Sequence, residues 1–166
     1  MALDLESDPE VLAAANSMIA RVRTIRPDAR LTGFSVQQMV QMPSAHDLIL
    51  GATRDPIFGP VILFGHGGTA VEVIRDHALA LPPVTLSIAR DMVNQTRVSR
   101  LLAGYRDRPK ARMEAIYEAL VQDSELVLEF PEIVELDVNP LLANDERVTV
   151  IDARIRYSRE ERPASA

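Results

Sequence analysis

The hydrophobic and polar positions alternate with two different periods along this chain. Ser7, Pro9 and Glu10 form a helix-starting pattern, a capping box with proline in the first turn. Val11, Ala15, Met18, Val22 and Ile25 then recur at helical spacing, which predicts a helix to about Ile25. Pro27 and the polar stretch to Gly33 interrupt it, and residues 34–40 (FSVQQMV) have strand character. Residues 46–54 and 59–64 are two apolar runs joined by Asp55-Pro56-Ile57-Phe58, the composition of an antiparallel hairpin whose turn starts at Asp-Pro. Residues 69–81 mix both periods, and the β-branched residues of their first half favour a strand. Residues 87–95 and 110–129 read as helices. The second has Pro109 in its first turn, Met113, Ile116, Leu120 and Val127 on one stripe, and its charged residues on a solvated face. Residues 133–142 and 148–154 predict a second hairpin, and a polar, fraying tail follows Tyr157. Strand pairs separated by helices imply an α+β class with a mainly antiparallel sheet.

Composition narrows this picture. With 166 residues and 47% apolar content, the chain is long enough for one domain with a real core, assigned here to residues 1–157 with 158–166 as tail. No apolar run reaches membrane-spanning length, and the acidic start is unlike a secretory signal, so no membrane partner is expected. The absence of cysteine excludes disulfides, thiolate metal sites and a catalytic thiol, and fits a reducing, cytoplasmic setting. A net charge of -6 and a pI near 5.1 argue against a nucleic-acid partner.

The densest chemical signal is Glu135-Leu136-Asp137-Val138-Asn139-Pro140-Leu141, followed by Ile151-Asp152-Ala153-Arg154. On a strand, Asp137 and Asn139 share a face because side chains alternate with period two. A turn centred near Asp145-Glu146 puts Asn139 opposite Asp152, with Cβ atoms roughly 4.5–5.5 Å apart. Magnesium takes hard oxygen donors, commonly one or two carboxylates completed by water and phosphate, and Asn139 and Asp152 with Asp137 nearby are such a set. A solvated hairpin face uses the same residue types. Pro140 lacks a ladder donor in an otherwise apolar strand, which points to a use of that edge other than sheet pairing. Gly65, Gly67 and Gly68 would let backbone amides approach an anion, although any sharp turn also uses glycine.

The segments GATRDPIFGPVILFGHGGTAVEVIRD, FPEIVELDVNPLLA and VIDARI occur in an order and spacing that resemble the ATP-grasp domain of ADP-forming acyl-CoA synthetases, which include acetate–CoA ligases and are related to the succinyl-CoA synthetase β subunit. The resemblance runs from about Ser7 to Tyr157 and implies the C-terminal subdomain of that fold. It implies that Asn139 and Asp152 bind the Mg2+ of ATP or ADP, and that Asp137 acts with a phosphohistidine. By the same resemblance, backbone groups of Gln38, Met39 and Val40 would meet the purine. Asp47 stands where the family commonly has Glu, and Arg54 matches an arginine near the phosphates. Glu72 matches a Glu after the glycine pair Gly67-Gly68. His66 falls where the family has an apolar residue and is not taken as the phosphorylated histidine.

The family's first subdomain supplies a phosphate-binding lysine and a histidine of the phosphate relay. Neither is recognisable here, where Lys110 is the only lysine. The expectation is a portion of a longer protein, or a subunit, that works with CoA-binding synthetase domains and a phosphohistidine-carrying segment, and is inactive alone. Fusion to a GNAT-type lysine acetyltransferase, with a regulatory and non-catalytic synthetase-like part, is the alternative.

Overall fold

The computed structural model describes residues 1–68, 76–106 and 108–158, and it divides into two compact units, Met1–Gln41 and Met42–Ala166. The first contains helix α1 (Asp8–Ile25), with Pro9 in its first turn. Its start is not the expected capping box. The Glu10 carboxylate accepts from the Glu6 amide at 2.7 Å, whereas the Ser7 side chain makes no cap. Residues 34–40 are a correction to the expected strand: among the described residues they join no ladder. Phe34 and Met39 are about half exposed and Val36 is 71% exposed. An apolar run becomes a strand only where a neighbouring strand receives it, and among the described residues none pairs with these.

The second unit is built on β1 (His46–Asp55), β2 (Gly59–His66), β3 (His77–Ala80), β4 (Ile133–Ala143), β5 (Val148–Val150) and β6 (Ala153–Tyr157). The order is β3-β2-β1-β4-β5, with β6 also pairing β4, and every pairing is antiparallel. The β1–β2 hairpin turns as Asp55 predicts, since its Oδ1 accepts from the amides of Ile57 (2.7 Å) and Phe58 (2.9 Å). Asn144 does the same for the β4–β5 turn, accepting from Glu146 and Arg147. The expected strand 148–154 is split: it leaves the ladder at Ile151-Asp152 and resumes as β6. Of the stretch 69–81, residues 77–80 form β3, and 69–75 lie outside the described residues.

Helices α2 (Leu86–Gln95), α3 (Ser99–Leu102) and α4 (Met113–Glu129) complete the unit. Thr85 caps α2 through the Ile88 amide. Helix α4 begins three residues later than expected, after Arg112 with φ -72° and ψ 80°, and the segment before it is tied down by the Ala111 amide on the Leu102 carbonyl and the Arg112 amide on the Asn144 carbonyl. One core joins Leu48 and Leu50 of β1, Ile62 and Phe64 of β2, and Leu136 and Val138 of β4 to Met92, Val93, Ile116 and Leu120 of the helices. The alternate strand residues, Asp47, Ile49, Gly51, Glu135, Asp137 and Asn139 among them, take no part in it. The charged residues of α4 are not all solvated: Asp123 lies on the core side and is 5% exposed. Among the described residues, no helix is long and apolar enough to cross a membrane.

Candidate functional site

The polar face of the sheet is organised by an irregularity in β4. On the β1 side, Leu50 faces Val138 but Leu48 faces Leu141, so Asn139 and Pro140 together oppose Ile49 alone. This is a β-bulge, which bends a strand and re-aims a side chain. It also accounts for a proline inside a strand flanked on both sides. The edge expected from Pro140 does not exist, because the bulge removes the need for its ladder donor, while its carbonyl accepts from the Ile151 amide at 3.1 Å.

Opposite the bulge, the Asn139 amide donates to the Asp152 carbonyl at 3.2 Å, so these two residues face each other as the turn geometry predicts. The Asn139 Oδ1 accepts from the Gly68 amide at 3.3 Å. The Gly67 amide donates to the Asp47 carbonyl at 2.8 Å. Gly68 has φ +81°, and a Cβ there would stand 3.0 Å from the Asp47 carboxylate. A Cβ on Gly67 would collide with the Leu48 backbone. Asp47, Gly67, Gly68, Asn139 and Asp152 are therefore brought to one end of β1 and β4.

Asp137 lies in the next row. It is opposite Gly51 of β1 on one side and Arg154 of β6 on the other. Gly51 is needed there, since a Cβ would reach 2.6 Å from the Leu136 carbonyl oxygen. The Arg154 Nε stands 3.3 Å from the Asp152 carboxylate. One row further, the Arg156 Nε donates to Glu135 at 2.9 Å. Period-two alternation from Asp152 marks both arginines for this face, and neither had a role in the sequence reading.

Within the second unit, Arg54 lies apart from this cluster. Arg54 is at the hairpin end of β1, where its Nη2 donates to the Pro131 carbonyl at 2.9 Å. Gln38, Met39 and Val40 belong to the first unit, and Glu72 lies outside the described residues. His46 and His66 share the core side of neighbouring strands, and each has a buried ring nitrogen without a hydrogen-bond partner among the described residues. Burial, then Arg108 and His66, hold the His46 pKa below its ordinary value. Both carboxylate oxygens of Asp123 are likewise unpartnered, and burial pushes its pKa up to about 7.

The oxygen-only donor set of Asn139, Asp152 and Asp137 suits a hard divalent cation. Among the described residues, no three His, Asp or Glu converge tightly enough to hold a metal by themselves. Such a site would be completed by water and by oxygens of a ligand, the usual arrangement for magnesium on a nucleotide.

The profile of the ATP-grasp domain matches residues 1–157. The chain belongs to the ATP-grasp family. As an ATP-grasp domain it is 34% identical over 153 residues to the β subunit of acetate–CoA ligase (ADP-forming) I of Pyrococcus furiosus, covering 92% of this chain and 65% of that protein. It is 37% identical over 143 residues to acetate–CoA ligase (ADP-forming) I of Archaeoglobus fulgidus, covering 86% of this chain and 21% of that one. The chain thus spans less than two thirds of the length of these relatives. Among solved structures it is similar to the dinucleotide-forming acetyl-coenzyme A synthetase 1 of Candidatus Korarchaeum cryptofilum. With coenzyme A, acetyl-coenzyme A and a phosphorylated phosphohistidine segment bound, the TM-score is 0.86 at 35% identity over 95% of this chain and 69% of that one. The complex of the same synthetase with coenzyme A and Mg-AMPPCP gives a TM-score of 0.77 at 31% identity over 95% of this chain and 67% of that one. The α+β class and the mainly antiparallel ATP-grasp sheet expected from sequence are therefore found.

Proposed function

We propose that this ATP-grasp chain is the magnesium- and nucleotide-holding part of an ADP-forming acyl-CoA synthetase, which interconverts acyl-CoA, ADP and phosphate with carboxylate, CoA and ATP. The observation that carries the reading is the bulge that sets Asn139 against Asp152 and gives the Asn139 Oδ1 to the Gly68 amide. Asn139 and Asp152 would hold Mg2+, with Asp137 beside them. The ion, when bound, neutralises phosphate charge during phosphoryl transfer. The protein's own groups position the reactants. The Gly67-Gly68 turn, whose amides are held by the Asp47 carbonyl and the Asn139 Oδ1, fixes the orientation of the Asn139 side chain. Asp137, on the row next to the metal pair, would meet the phosphohistidine of a partner segment. Gln38, Met39 and Val40 would serve the purine, and Glu72 the nucleotide. Arg54, tied to Pro131, would need to leave that carbonyl to reach a phosphate.

CoA-binding domains and the phosphohistidine segment would come from other parts of the protein or from another subunit, in a cytoplasmic assembly. The relatives named above are acid–CoA ligases, and the acetyltransferase-fusion reading draws no support from them. Isothermal titration with ADP and ATP, with and without magnesium, tests the proposal against the Asn139→Ala, Asp152→Ala double variant. Magnesium-dependent binding in the parent chain, weakened at least about tenfold in the variant, is the expected result. Equal binding by both proteins would refute the site.

A further inference from the structure

We infer that Arg154 is a positioning residue that acts as an exchangeable counter-charge. It neutralises Asp152 while no cation is present, and turns to an incoming phosphate once magnesium takes the carboxylate. The inference rests on the metal and nucleotide reading above and adds a group that the reading does not use.

Three observations carry it. The Arg154 Nε stands 3.3 Å from the Asp152 carboxylate, the candidate metal ligand. Arg154 is also the register partner of Asp137, so its guanidinium has both acidic residues of the site within its neighbourhood. Finally, the pair is weakly held: its side chains are 79% and 52% exposed, and an exposed pair of this kind is worth only a fraction of a kcal/mol to about 1 kcal/mol. A divalent cation with hard oxygen preference can displace such a partner, because the guanidinium gives up little on leaving and water solvates it readily.

The guanidinium has five donors in a planar fork, and contact with Asp152 through Nε leaves the terminal nitrogens for other acceptors. Released from Asp152, the same side chain stands on the face where phosphate oxygens would arrive and can bind them in a forked geometry. Arg156 provides the internal control. It is two residues along on the same strand and carries the same charge, but its Nε donates to Glu135, one row further from Asp152, at 2.9 Å.

These roles predict effects of opposite sign. Arg154→Gln should bind Mn2+ alone, followed by electron paramagnetic resonance at low salt, about two- to fivefold more tightly than the parent chain, the range set by the weak pair it removes. The same variant should bind Mg-ADP more weakly by a similar factor. Arg154→Lys should restore most of the parent's behaviour toward Mn2+ but less of its nucleotide affinity, because an ammonium lacks the fork. Arg156→Gln should change neither constant appreciably. If Mn2+ binding needs Asp152 but is unaltered by Arg154→Gln, or if Arg156→Gln has the same effect, the counter-charge role is overturned while the site stands. If Mn2+ binding survives Asp152→Ala unchanged, the site reading fails and this inference fails with it.

Discussion

The two faces of the six-stranded sheet are made from the same strands and serve different ends. On the helix-covered face, Leu48, Leu50, Ile62, Phe64, Leu136 and Val138 are closed against α2 and α4, and His46, His66 and Asp123 keep buried polar atoms without a partner among the described residues. On the other face, Asp47, Gly51, Glu135, Asp137 and Asn139 stand among small or half-exposed neighbours, and their polar atoms meet amides and guanidinium groups. Stability is therefore concentrated on one side of the pleat and candidate chemistry on the other. Substitutions on the two sides should separate cleanly in what they change.

The largest effect expected is on the covered face. Phe64→Ala empties a fully buried position and should cost roughly 3–5 kcal/mol of unfolding free energy, read from denaturant titration. Asp123 should follow. Its pKa is raised to about 7 by burial, so the folded chain keeps a proton that the unfolded chain loses near 3.8. Stability therefore falls as pH rises from about 4 to about 7, and Asp123→Asn should flatten that slope, with a gain of roughly 2–4 kcal/mol over the parent's loss at pH 8. Thermal melts across pH 4–8 check it.

His46 should act in the opposite direction and more weakly. Burial lowers its pKa from 6.5, so the unfolded chain takes up a proton that the folded site resists. Stability falls as pH drops below 6.5, and His46→Leu should remove that acid-side loss in the same melts. The smallest effect belongs to the polar face. Breaking the exposed Glu135–Arg156 pair with Glu135→Ala should cost no more than about 1 kcal/mol and should fade at high salt. A polar-face substitution that unfolds the chain as severely as Phe64→Ala would break the division between the faces.

Much of this arrangement was legible because local chemistry fixes it. Asp55 and the glycines around it specify the first hairpin, and a turn near Asp145 is enough to place Asn139 across from Asp152. What escaped depends on contacts distant in sequence. Residues 34–40 have strand composition without a ladder partner, and nothing in their own sequence reveals that. The segment before α4 is anchored to the carbonyls of Leu102 and Asn144, contacts that its own sequence does not announce. Asp123 falls on the apolar stripe by spacing, between Leu120 and Val127, but a carboxylate in that position reads as solvated until its burial is seen. Arg154 was visible as a residue, and its link to Asp152 required the break between β5 and β6.

The bulge at Asn139-Pro140 also determines where this strand can change length over evolutionary time. Up to Val138 the inward positions of β4 carry even numbers, and from Leu141 they carry odd ones. The strand is thus read in two frames, joined at a single residue of surplus. Loss of one codon at that joint would merge the frames and force either the hydrophobic residues beyond it or the acidic residues before it onto the wrong side. One codon added at the turn around Asp145 would only lengthen a loop. Lineages of this sequence should therefore vary in length at the turn and hold it constant at the joint.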